Sequence, residues 1–215
     1  NRRIDVLQIV HSREAYEALS LIKRLCPYVA VSDRNVTLGS GFAKISAKTG
    51  AGYIDLRTAG HQALARSMSK SYGLDRESLR VVYAGTDLRR ADAALCSGRG
   101  RLHALCGIAP DIPIVLFLGR LDPEKRPQVF VRAAAEILKL RPDCRAHFVL
   151  VGDGESRGRV EALVRRLGLA GRAHLLGFRL DGFDLMCDSD VVMIPSAYEG
   201  LALVSFEAMA LGVPL

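Results

Sequence analysis

Short apolar runs alternate with longer segments of helical periodicity along most of this 215-residue chain. Runs at 6–10, 28–31, 79–83, 114–118, 146–151, 174–176 and 191–194 have strand length, and another strand starts at Val213. Between them, 13–25, 61–72, 123–140, 155–167, a short stretch near Asp184, and 200–211 space their apolar residues as helices do; Pro27 and Gly73 supply stops. The strand runs are apolar rather than alternating, which implies burial on both faces. The pattern therefore predicts an α/β fold, a Rossmann-like parallel sheet flanked by helices.

Two stretches break the pattern. From 32 to 59 glycine, serine and threonine recur with no sustained period, which reads as a long loop or insertion. From 84 to 111 glycine, alanine and arginine mix, with Gly107, Pro110 and Pro113 nearby, and this suits a crossing between domains. The expected organisation is a first domain at 1–83, a linker at 84–112 and a second domain at 113–215. The abrupt start and the strand beginning at Val213 suggest a fragment of something longer, with the second domain truncated at its end.

No apolar run approaches the roughly 20 residues that span a bilayer, and no signal peptide opens the chain; the default expectation is a cytoplasmic protein. The five cysteines are scattered without metal-ligand spacing and read as reduced core residues. A net charge of +7 favours acidic partners: a diphosphate ligand, an anionic membrane surface or nucleic acid. The basic residues are dispersed and lack aromatic interleaving, which argues against nucleic acid and leaves peripheral contact with the inner face of a membrane open.

Ligands of parallel sheets bind at the carboxyl ends of the strands, so three strand ends carry the candidate chemistry. The first is Gly119-Arg120-Leu121-Asp122-Pro123-Glu124-Lys125. Arg120 offers a planar fork of donors and Lys125, in the first turn of the following helix, a mobile point charge, a pair suited to one diphosphate or to a surface salt bridge with Glu124. The second, Val151-Gly152-Asp153-Gly154-Glu155, is a glycine turn without the full dinucleotide fingerprint. The third runs from Pro195 through Glu199 and Gly200 into a helix containing Glu207. Unpaired N–H groups at that helix start attract phosphate, and about 12 Å of helical rise would separate the two glutamates, the order of length of a sugar diphosphate nucleotide. Equally, Glu199 is a cap favoured by the helix dipole and Glu207 part of a solvated face. Asp188-Ser189-Asp190 spells a metal-binding carboxylate pair but precedes its strand, on the wrong edge of the sheet. Gly98-Arg99-Gly100 has no strand before it and reads as flexible connection.

Taken in order, VVYAGTDL, VLFLGRLDPEK, FVLVGDGESR, HLLGF, DVVMIPSAYEG and LVSFEAMALGVP resemble the retaining glycosyltransferases of family 4, whose GT-B fold faces two Rossmann-like domains. IVHSREAY and YVAVSD resemble, more weakly, the end of that family's acceptor-side domain. The resemblance implies a hexosyltransferase-type enzyme that uses a nucleotide-diphosphate sugar, requires no metal or other cofactor, and acts on a polysaccharide, glycolipid or small-molecule acceptor. Arg120 and Lys125 would hold the donor diphosphate with the backbone of Gly200, Leu201 and Ala202. Glu207 would bind the ribose, Gly177 and Phe178 would lie near the base, Glu199 would meet the transferred sugar, and His11 would match a histidine reaching the sugar from the opposite domain. The chain departs from the family at Ala84, at Arg126-Pro127 where glycine is common, and at Leu201-Ala202. The resemblance implies an enzyme when intact and a largely inactive piece here. Other GT-B-like enzymes on phosphorylated sugars, epimerases or phosphorylases, and a basic module binding anionic lipid or nucleic acid are the alternatives.

Overall fold

The computed structural model describes residues 4–10, 12–35, 52–97, 100–197, 199 and 201–215. The chain divides into two compact units, Asn1–Ala84 with Glu199–Leu201, and Gly85–Tyr198 with Ala202–Leu215.

In the first unit β1 (Val6–Ile9), β2 (Ala30–Asn35), β3 (Leu56–Ala59) and β4 (Leu79–Val81) form a parallel sheet in that order, with helices α1 (Arg13–Glu17), α2 (Leu19–Leu25) and α3 (Gln62–Tyr72). Ser12 caps α1 through its hydroxyl, and the His61 ring accepts from the Leu64 N–H at the start of α3. Gly73, at φ +66°, ends α3 in the left-handed conformation open to a residue without Cβ. The single helix expected over 13–25 is two helices meeting at Ala18. The loop expected over 32–59 is strand at both described ends. Its polar residues there have partners distant in sequence: Asp33 is fully buried, accepts from the Tyr16 hydroxyl through its carboxylate, and accepts from the Thr58 hydroxyl through its carbonyl. The middle of that segment, 36–51, lies outside the described residues.

The second unit contains α4 (Leu88–Cys96), α5 (Arg101–Cys106), β5 (Ile114–Leu118), a 3-10 turn (Pro123–Lys125), α6 (Pro127–Leu140), β6 (His147–Val151), α7 (Arg157–Arg166), β7 (Ala173–Gly177), α8 (Gly182–Cys187), β8 (Val191–Val192) and α9 (Leu203–Ala210). Its sheet is parallel throughout, in the order β7-β6-β5-β8. Successive strand residues enter different cores. Leu116 and Val149 pack with Leu102, Leu185 and Ala208 on one face, while Phe117, Phe148 and Leu150 pack with Phe130, Val160 and Leu163 on the other. Both faces are thus covered, as the apolar runs predict.

Leu88–Cys96 and Arg101–Cys106, expected within a linker, are helices packed into this unit. Ala91, Ala94 and Leu102 are buried in the core that also holds Ala208. Asp87 caps α4 through its side chain, and Gly107, read as linker punctuation, closes α5 at φ +62°. Asp188 is the complement. Buried to 1% exposure, it accepts from the Gly100 and Leu102 N–H groups at 2.8 and 2.6 Å, and Asp190 accepts from the Ile114 N–H where β5 begins. The Asp188–Asp190 pair therefore closes the amino-terminal edge of the sheet, as its position before a strand implies. Gly98 and Arg99 lie outside the described residues. The helix expected from Pro123 is also interrupted: Arg126 takes a left-handed φ of +51° between the 3-10 turn and α6, so Lys125 sits before the helix rather than inside its first turn.

Candidate functional site

Strand order reverses at β5. The chain builds β6 and β7 outward on one side and then places β8 on the other. The crevice at the carboxyl ends of the strands at such a switch point is where open parallel sheets bind ligands.

The loops leaving those ends are bonded to one another through their backbones. Gly119 N–H donates to the Val151 carbonyl (3.0 Å), Leu121 N–H to Asp153 (2.9 Å), Ser156 N–H to Leu121 (2.8 Å), Gly152 N–H to Gly177 (2.8 Å) and Ala197 N–H to Glu124 (2.8 Å). Four strand ends thus share one rim whose position is set by main chain, not by mobile side chains. Closeness of this order selects the glycines. A Cβ on Gly152, whose φ is +140°, would stand 1.9 Å from the Gly119 carbonyl oxygen, and one on Gly154 would stand 2.6 Å from Asp122 Oδ1. The glycine turn, which lacks a full fingerprint, is therefore an architectural requirement of the rim.

Along the rim lies a pocket of about 340 Å³ lined by Leu118, Gly119, Arg120, Val151, Gly152, Asp153, Phe178 and Arg179. The Phe178 side chain is largely solvent-exposed at its mouth (72%), an aromatic face available for stacking on a flat ring. Gly177, at φ +72°, turns the chain into that wall. Arg179 is fixed by a two-pronged contact to Asp181, 2.8 Å on each arm, and this pairing, with Arg101 behind it, holds the Asp181 carboxyl below its usual range.

Arg120 and Lys125 belong to the same loop. The Arg120 side chain is 68% exposed and faces Asp122, with Glu124 at 3.9 Å. An arginine held by carboxylates on its own loop is oriented in advance, and an incoming anion competes for it. Lys125 is half-buried at the end of the 3-10 turn. The Ala197–Glu124 bond ties this cationic loop to the chain that leads from β8 toward α9.

Helix α9 starts at Leu203, not at Gly200, because Ala202 is extended (φ −72°, ψ 98°) as its N-cap. Glu199 and Leu201 thus precede the helix, and the estimate of helical rise between Glu199 and Glu207 does not apply. The N-cap residue Ala202 makes no side-chain cap bond to α9, and the Ser205 N–H donates to the Ala202 carbonyl at 3.0 Å, so the N–H groups of Leu203 and Val204 are those an anion would meet first. Glu207 lies in the second turn, half-buried, with its carboxyl pushed above the usual range by burial and drawn back by the charge of Arg90. Arg90 stands with its guanidinium 5.1 Å from the centre of the Phe183 ring. Its helix, α4, meets α9 through the buried Ala91 and Ala208.

Within the second unit the structure therefore brings Arg120, Lys125, Ala202, Gly177, Phe178 and Glu207 to one sheet edge and its following helix. Glu199 and Leu201 group with the first unit. His11 and Gly200 lie outside the described residues. Sequence reasoning missed Arg179, whose signal was its place directly after Gly177-Phe178 at a strand end. It also missed Arg90, whose partners are about a hundred residues away and left no local pattern.

The family described as Glycosyl transferases group 1 matches residues 112–215. Over 160 residues the chain is 37% identical to a D-inositol 3-phosphate glycosyltransferase of Nocardia farcinica, covering 70% of this chain and 34% of that protein. It is 35% identical over 138 residues to an alpha-D-kanosaminyltransferase of Streptomyces kanamyceticus, covering 63% of this chain and 35% of that one. Among solved structures, Anabaena Alr3699/HepE in complex with UDP and glucose superposes with a TM-score of 0.80 at 22% identity, over 98% of this chain and 58% of that one. The chain thus spans about a third of the length of the curated relatives it matches.

Proposed function

Because residues 112–215 match the group 1 glycosyl transferases, we propose that the complete protein moves a sugar from a nucleoside diphosphate donor to an acceptor with retention of anomeric configuration. The observation that carries this reading is the switch point itself. An apolar pocket with an exposed aromatic wall and a cationic loop share one backbone-bonded rim, and the helix that follows β8 starts on the same edge of the sheet.

Each part answers one part of the donor. The base stacks against Phe178 above Gly177, and the ribose hydroxyls donate to the Glu207 carboxylate. The diphosphate lies against the start of α9, where Leu201 and Ala202 present backbone, with Arg120 and Lys125 as counter-charges. As the bond from sugar to phosphate lengthens, negative charge grows on the departing diphosphate. Fixed cations and N–H dipoles stabilise that charge more than the ground state, which is how preorganised groups accelerate a reaction. Glu199 contacts the hydroxyls of the transferred sugar. In a front-face reaction the departing phosphate oxygen takes the acceptor proton, and the chemistry calls on no metal. That HepE was solved in complex with UDP supports a nucleotide ligand.

Calorimetric titration of the complete protein with UDP, GDP and ADP tests the reading. Saturable binding of one of them is expected; a folded sample that binds none overturns it.

A further inference from the structure

Most arginines of the second unit have a partner. Arg101, Arg120, Arg141, Arg145, Arg157 and Arg179 each face a carboxylate, and Arg172 donates to the Cys144 and Ala146 carbonyls. Arg126, Arg132, Arg159, Arg165 and Arg166, all exposed, pair with no acid among the described residues. Three of these, Arg132 on α6 and Arg159 and Arg166 on α7, line one groove of about 380 Å³ between the two helices, with Gln128, Ala162 and Leu163. Acids on the same helices are engaged elsewhere, Glu136 near Lys139 at 3.9 Å and Glu161 on Arg157 at 2.9 Å.

Three guanidinium groups around one concavity repel one another, and no carboxylate of the described protein relieves them. Arg159 and Arg166 are seven residues apart on one helix face, roughly 10 Å along the axis, and Arg132 approaches from the facing helix. A solvated helix face would spread such charges over a convex surface; here they border a recess with an apolar floor at Leu163. Guanidinium forks match phosphate oxygens in geometry as well as charge. The groove shares no lining residue with the strand-end pocket.

We propose that the groove between α6 and α7 is a second anion site, which takes a phosphate group other than that of the sugar donor, from a free phosphorylated molecule or from a lipid headgroup. The test begins from the Arg120→Ala/Lys125→Ala protein, in which the donor loop is silenced and the groove is intact. It is titrated with inorganic pyrophosphate by calorimetry and floated with phosphatidylglycerol vesicles against phosphatidylcholine vesicles. Adding Arg132→Gln, Arg159→Gln and Arg166→Gln is expected to weaken binding on the order of tenfold, since exposed pairs contribute modestly and add up over three sites. A loss confined to the titration identifies a free phosphate as the source, and a loss confined to flotation identifies the lipid headgroup. The matching Arg→Lys triple variant keeps the charge but loses the planar forks, and its affinity is expected to fall between those of the parent and the Gln variant. Binding of neither probe by the parent, equal binding with and without the Gln substitutions, or a Lys variant as impaired as the Gln variant overturns the proposal.

Discussion

Replacing Gly152 by alanine is expected to unlock the rim on which the proposed donor site rests. At φ +140° the backbone lies in a region that side chains rarely adopt, a strain of about 1–3 kcal/mol. The added Cβ would also stand 1.9 Å from the Gly119 carbonyl oxygen, where real contacts do not fall below 3.0 Å, so the β5 and β6 loops must part by at least about 1.1 Å. That displacement breaks into the Gly119–Val151 or Gly152–Gly177 hydrogen bond, now 3.0 and 2.8 Å. Leaving one of these groups unpaired adds about 1–3 kcal/mol. The sum, roughly 2–6 kcal/mol, is a large share of the about 5–15 kcal/mol that usually separates folded from unfolded domains. Urea denaturation followed by circular dichroism measures it. Gly158→Ala is the control: it is also a glycine-to-alanine change, but on helix α7 with nothing within 4 Å, and it is expected to stabilise by up to about 1 kcal/mol. If Gly152→Ala falls within about 0.5 kcal/mol of the parent protein, the close approach of the two loops is not what fixes the rim.

Two further substitutions probe strain and charge. Arg126 carries a left-handed backbone just before Pro127, a conformation that disfavours side chains by about 1–2 kcal/mol, while glycine gives back part of that gain through its freer unfolded chain. Arg126→Gly is therefore expected to raise stability by up to about 1 kcal/mol in denaturant titration, and a clear loss would mean that the guanidinium makes a stabilising contact. Burial holds the Glu207 carboxyl above its usual range, so the folded protein keeps this proton more firmly than the unfolded chain does. Ionisation then subtracts stability as pH rises from the unfolded value near 4.5 through the higher folded one, and Glu207→Gln should be the more stable protein at pH 7. In the proposed donor site the same change would weaken the acceptor for ribose hydroxyls, and nucleotide affinity is expected to fall about tenfold. Parent affinity should fall on acidification through that range and the variant's should not; a less stable variant with unchanged affinity contradicts the assignment.

Much of this architecture is legible in the sequence because its determinants are local. The runs 114–118 and 146–151 are apolar throughout because they pack on both faces, and Gly73 ends a helix by its own conformation. Where determinants are distant, sequence reading fails. Polar residues at the ends of β2 and β3 look like loop until Tyr16 and Thr58 supply the bonds that bury Asp33. Gly100 and Gly107 resemble a linker because the same residue type serves at helix ends, and the buried Asp188 that completes the first of those ends comes 88 positions later. The cationic loop, the glycine turn and Phe178 can be found from their places after strands. Arg90 beside Glu207 depends on two helices meeting, which no short pattern encodes.

In the proposed donor site, the edge formed by the Arg120 loop, the Gly152 turn and the start of α9 holds a nucleoside diphosphate. Calorimetry on the complete protein and its Arg120→Ala/Lys125→Ala variant, each titrated with the nucleoside diphosphate that binds and with the matching nucleoside, tests this at the phosphates themselves. The variant is expected to lose on the order of a hundredfold in affinity for the diphosphate, two charge-assisted contacts, and little for the nucleoside. Equal losses for the two ligands, or none for the diphosphate, would contradict it.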